Sequence, residues 1–193
     1  MKKIVVATAN LGKLEEYEKM LEPLGFEVFS LRDFHMDDIE ETGDTFLKNA
    51  LIKAHALKRH TREMVIADDS GLEVAYLNNK PGVYSKRFSP EGTDLANNLL
   101  MLEQMKSAYH RDAKFVCVIV LIDKEGHMES FKGELHGYIH TALEGEEGFG
   151  YDPIFIPVGY TKTLAELGIN EKNKMSHRSK ALHKMIDYLN DRY

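Results

Sequence analysis

The chain has 193 residues, of which 43% are hydrophobic and 29% are charged. This composition can bury a full core, and the length favours a single domain over residues 1–193, with room for two lobes. The formal net charge of −6 excludes a protein that coats nucleic acid along its length, since that needs a basic face, but it allows a small anionic ligand in one local basic pocket.

The amino-terminal part of the chain alternates predicted strands and helices. KIVVA predicts a first strand, the loop TANLGK follows, and LEEYEKMLEPLG predicts a helix with an apolar stripe. FEVFSL alternates as a second strand, and GDTFLKNALIKAHALKRH predicts a second helix that Asp44 or Thr45 can cap. MVIA predicts a third strand that ends at DDSG, and LEVAYL continues as a strand or a short helix.

The second part begins with NNKPGVYSKRFSPEGTD, whose turn residues predict a long exposed loop before the helix LANNLLMLEQM. AKFVCVIVLID is apolar without alternation, as expected of a strand covered on both faces, and HMESFKGELHGYIHT completes a predicted hairpin. Leu182, Met185, Ile186 and Leu189 recur at helical spacing after Ser176, a suitable N-cap. Interleaved strands and helices predict an α/β fold with a mixed sheet.

Cysteine usage and hydropathy indicate the cellular setting. The single cysteine, Cys117, lies in an apolar run and has no partner for an intrachain disulfide. No stretch approaches the roughly 20 apolar residues of a membrane span. The amino terminus turns polar too early for a signal peptide. We therefore expect a soluble, cytoplasmic protein without a membrane partner.

The loop TANLGK lies between the first strand and the first helix, where backbone N–H groups point toward whatever precedes the helix. A small polar set that ends in Lys13 suits a phosphate chain. The loop lacks the spacing of a Walker motif. An ordinary capped turn with a solvated lysine is the alternative.

The segment EETGDTFLKNALIKA opens the second helix. Acidic residues such as Glu41 favour a helix start through the helix dipole, and taken alone they are explained by capping. Lys53, however, follows Asn49 by one helical turn at the edge of the apolar stripe. That position could aim a lysine back into a cleft.

In the segment ADDSGL, an apolar strand ends in two adjacent carboxylates, Asp68 and Asp69. Such like charges must be solvated, protonated or met by a cation. Neighbouring strand residues point to opposite sides, so one carboxylate could bind a metal while the other contacts the metal's ligands rather than the metal itself. Mg²⁺ prefers carboxylate and phosphate oxygens. A solvated Asx turn is the alternative.

The segment GFGYDP places an aromatic surface and a carboxylate in a glycine-rich loop, which together suit a nucleobase. With no tryptophan in the chain, Phe149 and Tyr151 are the stacking candidates. Arg178 follows the N-cap of the last helix, where a positive charge is locally unfavourable. A surface turn and a misplaced charge are the alternative, and otherwise Arg178 awaits an anionic or electronegative ligand.

These segments in this order resemble the inosine triphosphate pyrophosphatase family, which hydrolyses non-standard purine nucleoside triphosphates. The likeness spans essentially the whole chain, through TANLGK, EETGDTFLKNALIKA, ADDSGLEV, PGVYSKRF, GFGYDPIF and NEKNKMSHRSKAL. Each motif alone is weak evidence for the family, whereas six motifs in this order are highly specific for it. The resemblance implies an elongated α/β fold, with a mixed β-sheet flanked by helices, two lobes with the active-site cleft between them, and a homodimer.

The resemblance also implies a role for each matching residue. Glu41 and Asp69 would bind Mg²⁺, and Asp69 would also act as the base that activates water, with Asp68 behind the metal ligands. The residues predicted to contact the substrate are Thr8, Ala9, Asn10, Leu11, Gly12, Lys13, Lys53, Ser70, Phe149, Gly150, Tyr151, Asp152, Lys172, His177 and Arg178.

The implied reaction is hydrolysis of inosine, deoxyinosine or xanthosine triphosphate (ITP, dITP, XTP) to the monophosphate and pyrophosphate. The small-molecule triphosphate is the expected partner and Mg²⁺ the expected cofactor. One alternative is the related septum-associated nucleotide pyrophosphatases, which act on modified pyrimidine or other triphosphates, although the SHR block favours purines. A non-catalytic nucleotide-binding module is the other.

Overall fold

The computed structural model describes residues 2–37 and 39–192. Its strands are β1 (Lys2–Val6), β2 (Phe26–Ser30), β3 (Met64–Val74), β4 (Lys80–Pro81), β5 (Asp112–Ile122), β6 (Met128–Ile139) and β7 (Phe155–Pro157). Its α-helices are α1 (Leu11–Leu21), α2 (Phe46–Lys58), α3 (Asp94–Gln104), α4 (Leu164–Leu167), α5 (Ile169–Met175) and α6 (His177–Arg192). Short 3₁₀ helices span Glu22–Leu24, Leu31–Phe34, Ala75–Leu77, Gly82–Arg87 and Asp152–Ile154.

The strands form one seven-stranded sheet in the order β2-β1-β3-β5-β6-β7, with β4 paired to β3. The pairs β1–β2 and β1–β3 are parallel, whereas β3–β4 and β6–β7 are antiparallel. Parallel neighbours require crossover connections, and α1 and α2 lie in the two crossovers along the chain. The prediction of an α/β fold with a mixed sheet is therefore confirmed.

The chain divides into two compact units, and the first consists of residues 1–69, 118–132 and 181–193 as far as they are described. The α2 residues Ala50, Ala54 and Leu57 recur at helical spacing, so they lie on one face. They share a buried cluster with Val5 of β1 and Val65 of β3. The amphipathic pattern of α2 thus packs it into the core of this unit.

The second unit consists of residues 70–117 and 133–180. Its core combines Met101 of α3 with Phe115 of β5, Leu135 of β6 and Phe155 of β7. The rings of Phe115 and Phe155 lie 4.7 Å apart between centroids. This core supports the loops and helix starts described below.

Two predicted helix starts are confirmed by their caps. Thr45 Oγ1 accepts a hydrogen bond from the N–H of Lys48 at 3.2 Å and caps α2. Ser176 Oγ accepts from the N–H of Ser179 at 3.0 Å at the start of α6. Each bond satisfies one of the N–H groups that a helix start leaves without an intrahelical partner.

The prediction that the third strand ends at DDSG is wrong. Strand β3 continues through Asp68 and Asp69 to Val74, and its residues are mostly buried. Both carboxylates have partners within the fold, namely Lys13 and Asn49. Because the ammonium group of Lys13 and the amide of Asn49 donate hydrogen bonds to these carboxylates inside the fold, the strand does not need to leave the core where the carboxylates begin.

Two predicted loops are also shorter than expected. Asn10 caps α1 by accepting from the N–H of Lys13 at 3.1 Å, so the second half of TANLGK is the first turn of the helix. The predicted exposed loop before α3 contains β4 and a 3₁₀ helix, and Ser85 and Ser89 within it are buried. Asn97 of α3 accepts from the N–H of Ser89 at 2.7 Å, which ties this segment down.

Within residues 2–37 and 39–192, none of the helices combines the length and the apolar character that crossing a bilayer requires.

Candidate active site

The start of α1 brings the first predicted site residues together. Thr8 is buried and its hydroxyl accepts from the N–H of Asn10 at 3.1 Å. Lys13 Nζ lies 2.8 Å from Oδ2 of Asp68, which is almost fully buried. In this segment Ala9 is half-buried, whereas Asn10, Leu11 and Gly12 are exposed. The first turn thus joins a lysine to a buried carboxylate and presents N–H groups at its surface.

Lys53 of α2 points into the first unit rather than to solvent. Its Nζ donates to Glu41 Oε1 at 2.5 Å. Burial alone would lower the pKa of Lys53, but the charges of Asp68, Glu41 and Asp69 outweigh it and raise that pKa. Lys53 is therefore a fixed cation among these acids, as its position at the edge of the helix stripe suggested.

Asn49 holds the catalytic candidate Asp69. Its Nδ2 donates to Asp69 Oδ2 at 2.9 Å, and its Oδ1 accepts from the N–H of Gly43 at 2.7 Å. A Cβ on Gly43 would lie 2.7 Å from that same Oδ1, so only glycine allows this approach. Sequence reasoning noticed Asn49 only as a neighbour of Lys53 and missed this bridge.

The carboxyl group of Asp69 has an unusual proton affinity. Burial and the nearby charge of Glu41 raise its pKa to about 6, against the opposing effects of Lys53, Asn49 and Lys13. Glu41 and Asp69 thus interact with each other rather than facing solvent separately. A buried carboxyl group with a pKa shifted by desolvation and by a neighbouring charge is typical of a functional site.

We call Glu41, Asp68, Asp69, Lys13 and Lys53 the acid–lysine cluster. It contains three carboxylates and two ammonium groups, so its formal charge is negative when all five are ionised. Carboxylate oxygens are hard ligands of the type that Mg²⁺ prefers. By its donors and its excess of negative charge, the cluster fits a divalent cation.

Residues 148–152, the aromatic loop, carry the next predicted site residues. Asp152 is buried, and its Oδ2 accepts from Lys172 Nζ at 2.5 Å and from the N–H of Phe149 at 2.9 Å. Burial raises the pKa of Asp152, and Lys172 opposes that shift. Gly148 has a φ of +87°, and a Cβ there would collide with the Asp152 carboxylate. The loop conformation therefore depends on this glycine.

The two stacking candidates differ in exposure. The ring of Phe149 is 59% exposed, and Lys172 Nζ lies 4.0 Å from its centroid. Tyr151 is 4% exposed within the second core, and its hydroxyl donates to the carbonyl of Ser85 at 2.7 Å. The ring of Tyr151 is therefore a structural support, and of the two stacking candidates only Phe149 is exposed.

The start of α6 places two basic residues inside the second unit. His177 stacks on Phe115 with ring centroids 4.9 Å apart and an interplanar angle of 12°. Arg178 is buried, and its Nη2 lies 3.4 Å from Oγ of Ser70, a half-buried residue of β3. Both residues at the start of α6 are thus buried in the second unit. A misplaced surface charge would instead be solvated, so that alternative does not describe them.

The mixed sheet and the acid–lysine cluster define an α/β protein with a highly charged internal site. Residues 4–188 match the Ham1 family. The chain belongs to this family, which confirms the resemblance drawn from the six sequence motifs.

Relatives with known names match over nearly the whole chain. A dITP/XTP pyrophosphatase of Exiguobacterium sp. is 47% identical over 185 residues, which cover 95% of this chain and 94% of the relative. A dITP/XTP pyrophosphatase of Thermus thermophilus is 44% identical over 191 residues, which cover 98% of this chain and 92% of that protein.

Solved structures give the same result. The structure of the Staphylococcus aureus Ham1 protein matches with a TM-score of 0.93 at 37% identity and covers 100% of both chains. The nucleoside-triphosphatase, or dITP/XTP pyrophosphatase, of Mycobacterium abscessus matches with a TM-score of 0.81 at 43% identity, covering 95% of this chain and 98% of the other.

Proposed function

We propose that the protein hydrolyses non-standard purine nucleoside triphosphates, namely ITP, dITP and XTP, to the monophosphate and pyrophosphate. The names of its relatives, dITP/XTP pyrophosphatase, support this substrate class. The observation that carries the proposal is the acid–lysine cluster around Asp69, in which three carboxylates lie with only two ammonium groups, and Lys13 and Lys53 each donate a hydrogen bond to one of the carboxylates. A triphosphate and a divalent cation are the ligands that complement such a cluster.

Mg²⁺ is the proposed cofactor, with Glu41 and Asp69 as its protein ligands and Asp68 behind them. When bound, the ion supplies charge neutralisation for the phosphate oxygens. The N–H groups at the start of α1 and the ammonium groups of Lys13 and Lys53 would bind the phosphate chain. Positioning and charge stabilisation of this kind account for most catalysis of phosphoryl and nucleotidyl transfer.

Asp69 is the proposed general base. A carboxylate with a pKa of about 6 is ionised at neutral pH and can still accept a proton from a water molecule. The oxygen of that water would form a bond to the α-phosphorus as the bond to the β-phosphate oxygen breaks, and pyrophosphate would leave. Asn49, which donates to Oδ2 of Asp69, orients the carboxylate for this step.

The aromatic loop is the proposed base site. The exposed ring of Phe149 offers a stacking surface, and Lys172 and Arg178 offer hydrogen-bond donors. Hypoxanthine and xanthine present O6 as an acceptor, whereas adenine presents an amino group at that position. A buried donor left without an acceptor costs about 1–3 kcal/mol, enough for a tenfold to hundredfold preference.

The family membership also supports a proposal on the cellular setting and the oligomeric state. We propose that the enzyme acts in the cytoplasm on free nucleotides rather than on nucleic acid, and that it forms a homodimer. Gel filtration with light scattering would report the oligomeric state, and a monomer at micromolar concentration would contradict the dimer.

The test is pyrophosphate release from a panel of about eight purine and pyrimidine triphosphates with Mg²⁺. We expect the inosine and xanthosine nucleotides to react fastest. Preferential turnover of modified pyrimidine triphosphates would indicate the septum-associated type of activity instead. Binding without any release would indicate a non-catalytic module.

The Asp69→Asn substitution should reduce kcat for ITP by about 10²–10⁴-fold, the range that general-base catalysis contributes. Asp123→Asn is the matched control, since Asp123 is also a buried aspartate of the first unit but bonds to His127 outside the cluster. Full activity of Asp69→Asn would exclude Asp69 as the base.

A further inference from the structure

The first turn of α3 holds the aromatic loop at Gly150. The N–H of Gly150 donates to Asp94 Oδ2 at 2.7 Å, and its carbonyl accepts from Asn98 Nδ2 at 2.7 Å. Asn98 Nδ2 also donates to the carbonyl of Asp94 at 2.8 Å. One helical turn therefore fixes the peptide groups on both sides of Gly150.

These contacts constrain the residues that the base would meet. Gly150 has a φ of +61° and follows Phe149, so the bond to its N–H also fixes the peptide plane that joins it to the exposed Phe149. Phe149 is also held from within its own segment, since its N–H donates to Asp152 Oδ2 at 2.9 Å and its carbonyl accepts from the N–H of Asp152 at 3.3 Å. The contacts with α3 add a restraint from outside the loop.

The hydrogen bonds of Asn98 hold the aromatic loop in place at a cost in the stability of the fold. Asn98 is buried, and its Oδ1 accepts no hydrogen bond from any residue that the structure describes. A buried acceptor without a partner lowers the stability of the fold. The side chain nevertheless directs its Nδ2 to the carbonyls of Gly150 and Asp94.

We propose that Asp94 is a positioning residue for nucleotide binding, and that Asn98 assists it. The inference rests on the proposed function, since it takes Phe149 as the surface on which the purine stacks. Asp94 does not contact the nucleotide in this proposal. It orders the aromatic loop before the substrate arrives, so that binding does not have to supply the entropy of ordering.

Two substitutions of Asp94 separate the effect of its hydrogen-bonding oxygen from the effect of its negative charge. Both Asp94→Ala and Asp94→Asn remove a negative charge from the helix start, where it interacts favourably with the helix dipole. Only asparagine keeps an oxygen that can accept from the N–H of Gly150. Asp94 is exposed, so both variants should fold. Glu91→Ala removes another exposed acid just before α3 and serves as the control for charge alone.

We expect Asp94→Ala to raise KM for ITP about 5- to 20-fold while kcat stays within about twofold, the pattern of lost ground-state binding. Asp94→Asn should recover most of this affinity, and Glu91→Ala should leave KM unchanged. Equal increases in KM for the alanine and asparagine variants would assign the effect to charge and overturn the proposal. An unchanged KM for Asp94→Ala would also overturn it.

Hydrogen exchange at the Gly150 amide, followed by NMR, tests the contact without depending on turnover. Its protection should fall at least about tenfold in Asp94→Ala and persist in Asp94→Asn, because exchange requires the hydrogen bond to open. Unchanged protection in Asp94→Ala would overturn the positioning role. If the wild-type protein releases no pyrophosphate from any triphosphate, the proposed function fails, and the calorimetric Kd for ITP replaces KM in the same comparison.

Discussion

The acid–lysine cluster of the first unit and the Asp152–Lys172 pair of the second are both buried and charged, yet they differ in balance. In the cluster, three carboxylates face two lysines, so the formal charge is negative when all five groups are ionised. In the pair, one carboxylate faces one ammonium at 2.5 Å and also accepts a backbone N–H.

This difference in charge balance indicates whether each region depends on a ligand. A pair that is complete within the protein can hold its loop in place before any ligand binds. A cluster with excess negative charge lowers the stability of the ligand-free fold and gains from an added cation. The same residue types can thus hold a loop in place in one region and favour the binding of a cation in the other.

The largest effect on stability should come from breaking the complete pair. Lys172→Met leaves the buried carboxylate of Asp152 without its cation, and loss of one partner of a buried pair costs about 3–5 kcal/mol. Denaturant unfolding of the variant would measure this loss in the free energy of unfolding.

The double variant Lys172→Met, Asp152→Leu is the control, because removing both charges should recover much of that stability. If Lys172→Met unfolds at the same denaturant concentration as the wild type, the pair does not support the fold, and the contrast with the acid–lysine cluster fails.

In the acid–lysine cluster, removing a charge is expected to raise the free energy of unfolding rather than to lower it. A native pKa of about 6 for Asp69 exceeds the usual value of about 3.9 in an unfolded chain, so ionisation opposes folding. Below about pH 4 the carboxyl is protonated in both states and the penalty is absent. The penalty grows as the pH rises to 6 and then stays at about 3 kcal/mol.

Asp69→Asn should therefore raise the free energy of unfolding by up to about 3 kcal/mol above pH 6.5 in the presence of a chelator, and by little at pH 4. Paired melting curves at the two pH values give the comparison, and Asp152, whose pKa is also raised, contributes equally to both proteins. A variant that is less stable than the wild type at pH 7.5 would show that the cluster is balanced.

A smaller effect is expected at the start of α6. Arg178 is proposed to meet the nucleotide, so Arg178→Ala should raise KM for ITP about tenfold, equivalent to about 1.4 kcal/mol of binding. The melting temperature should change much less than in Lys172→Met. An unchanged KM would remove Arg178 from the base site and leave its contact with Ser70 as its only assigned role.

Much of this organisation could be predicted from local sequence patterns. The strand and helix periodicities gave the α/β class, and the motifs brought Lys53 and Asp69 into consideration because their charges conflict with an apolar environment. The amide bridge of Asn49 to Asp69 joins residues 20 positions apart, and the contact of Asp94 with Gly150 spans 56 positions. Local patterns do not encode such distant pairings, so these supporting residues were missed.

The continuation of β3 through its two aspartates was missed for the same reason. Adjacent carboxylates are typical of an exposed turn when they stand alone. Distant partners, such as Lys13 for Asp68 at 55 positions and Asn49 for Asp69 at 20, make them compatible with a buried strand. Similarly, the aromatic pattern of the loop could not distinguish the exposed ring of Phe149 from the buried ring of Tyr151.

The central claim is that the acid–lysine cluster binds a divalent cation that the reaction requires, with Glu41 as one ligand. Its most direct test is pyrophosphate release from ITP at increasing Mg²⁺ concentrations, for the wild type, Glu41→Gln and the control Asp123→Asn. The account predicts at least about a tenfold higher Mg²⁺ requirement for Glu41→Gln alone, as expected when a ligand oxygen is lost. An identical Mg²⁺ dependence in all three proteins, or full activity in a chelator, would contradict it.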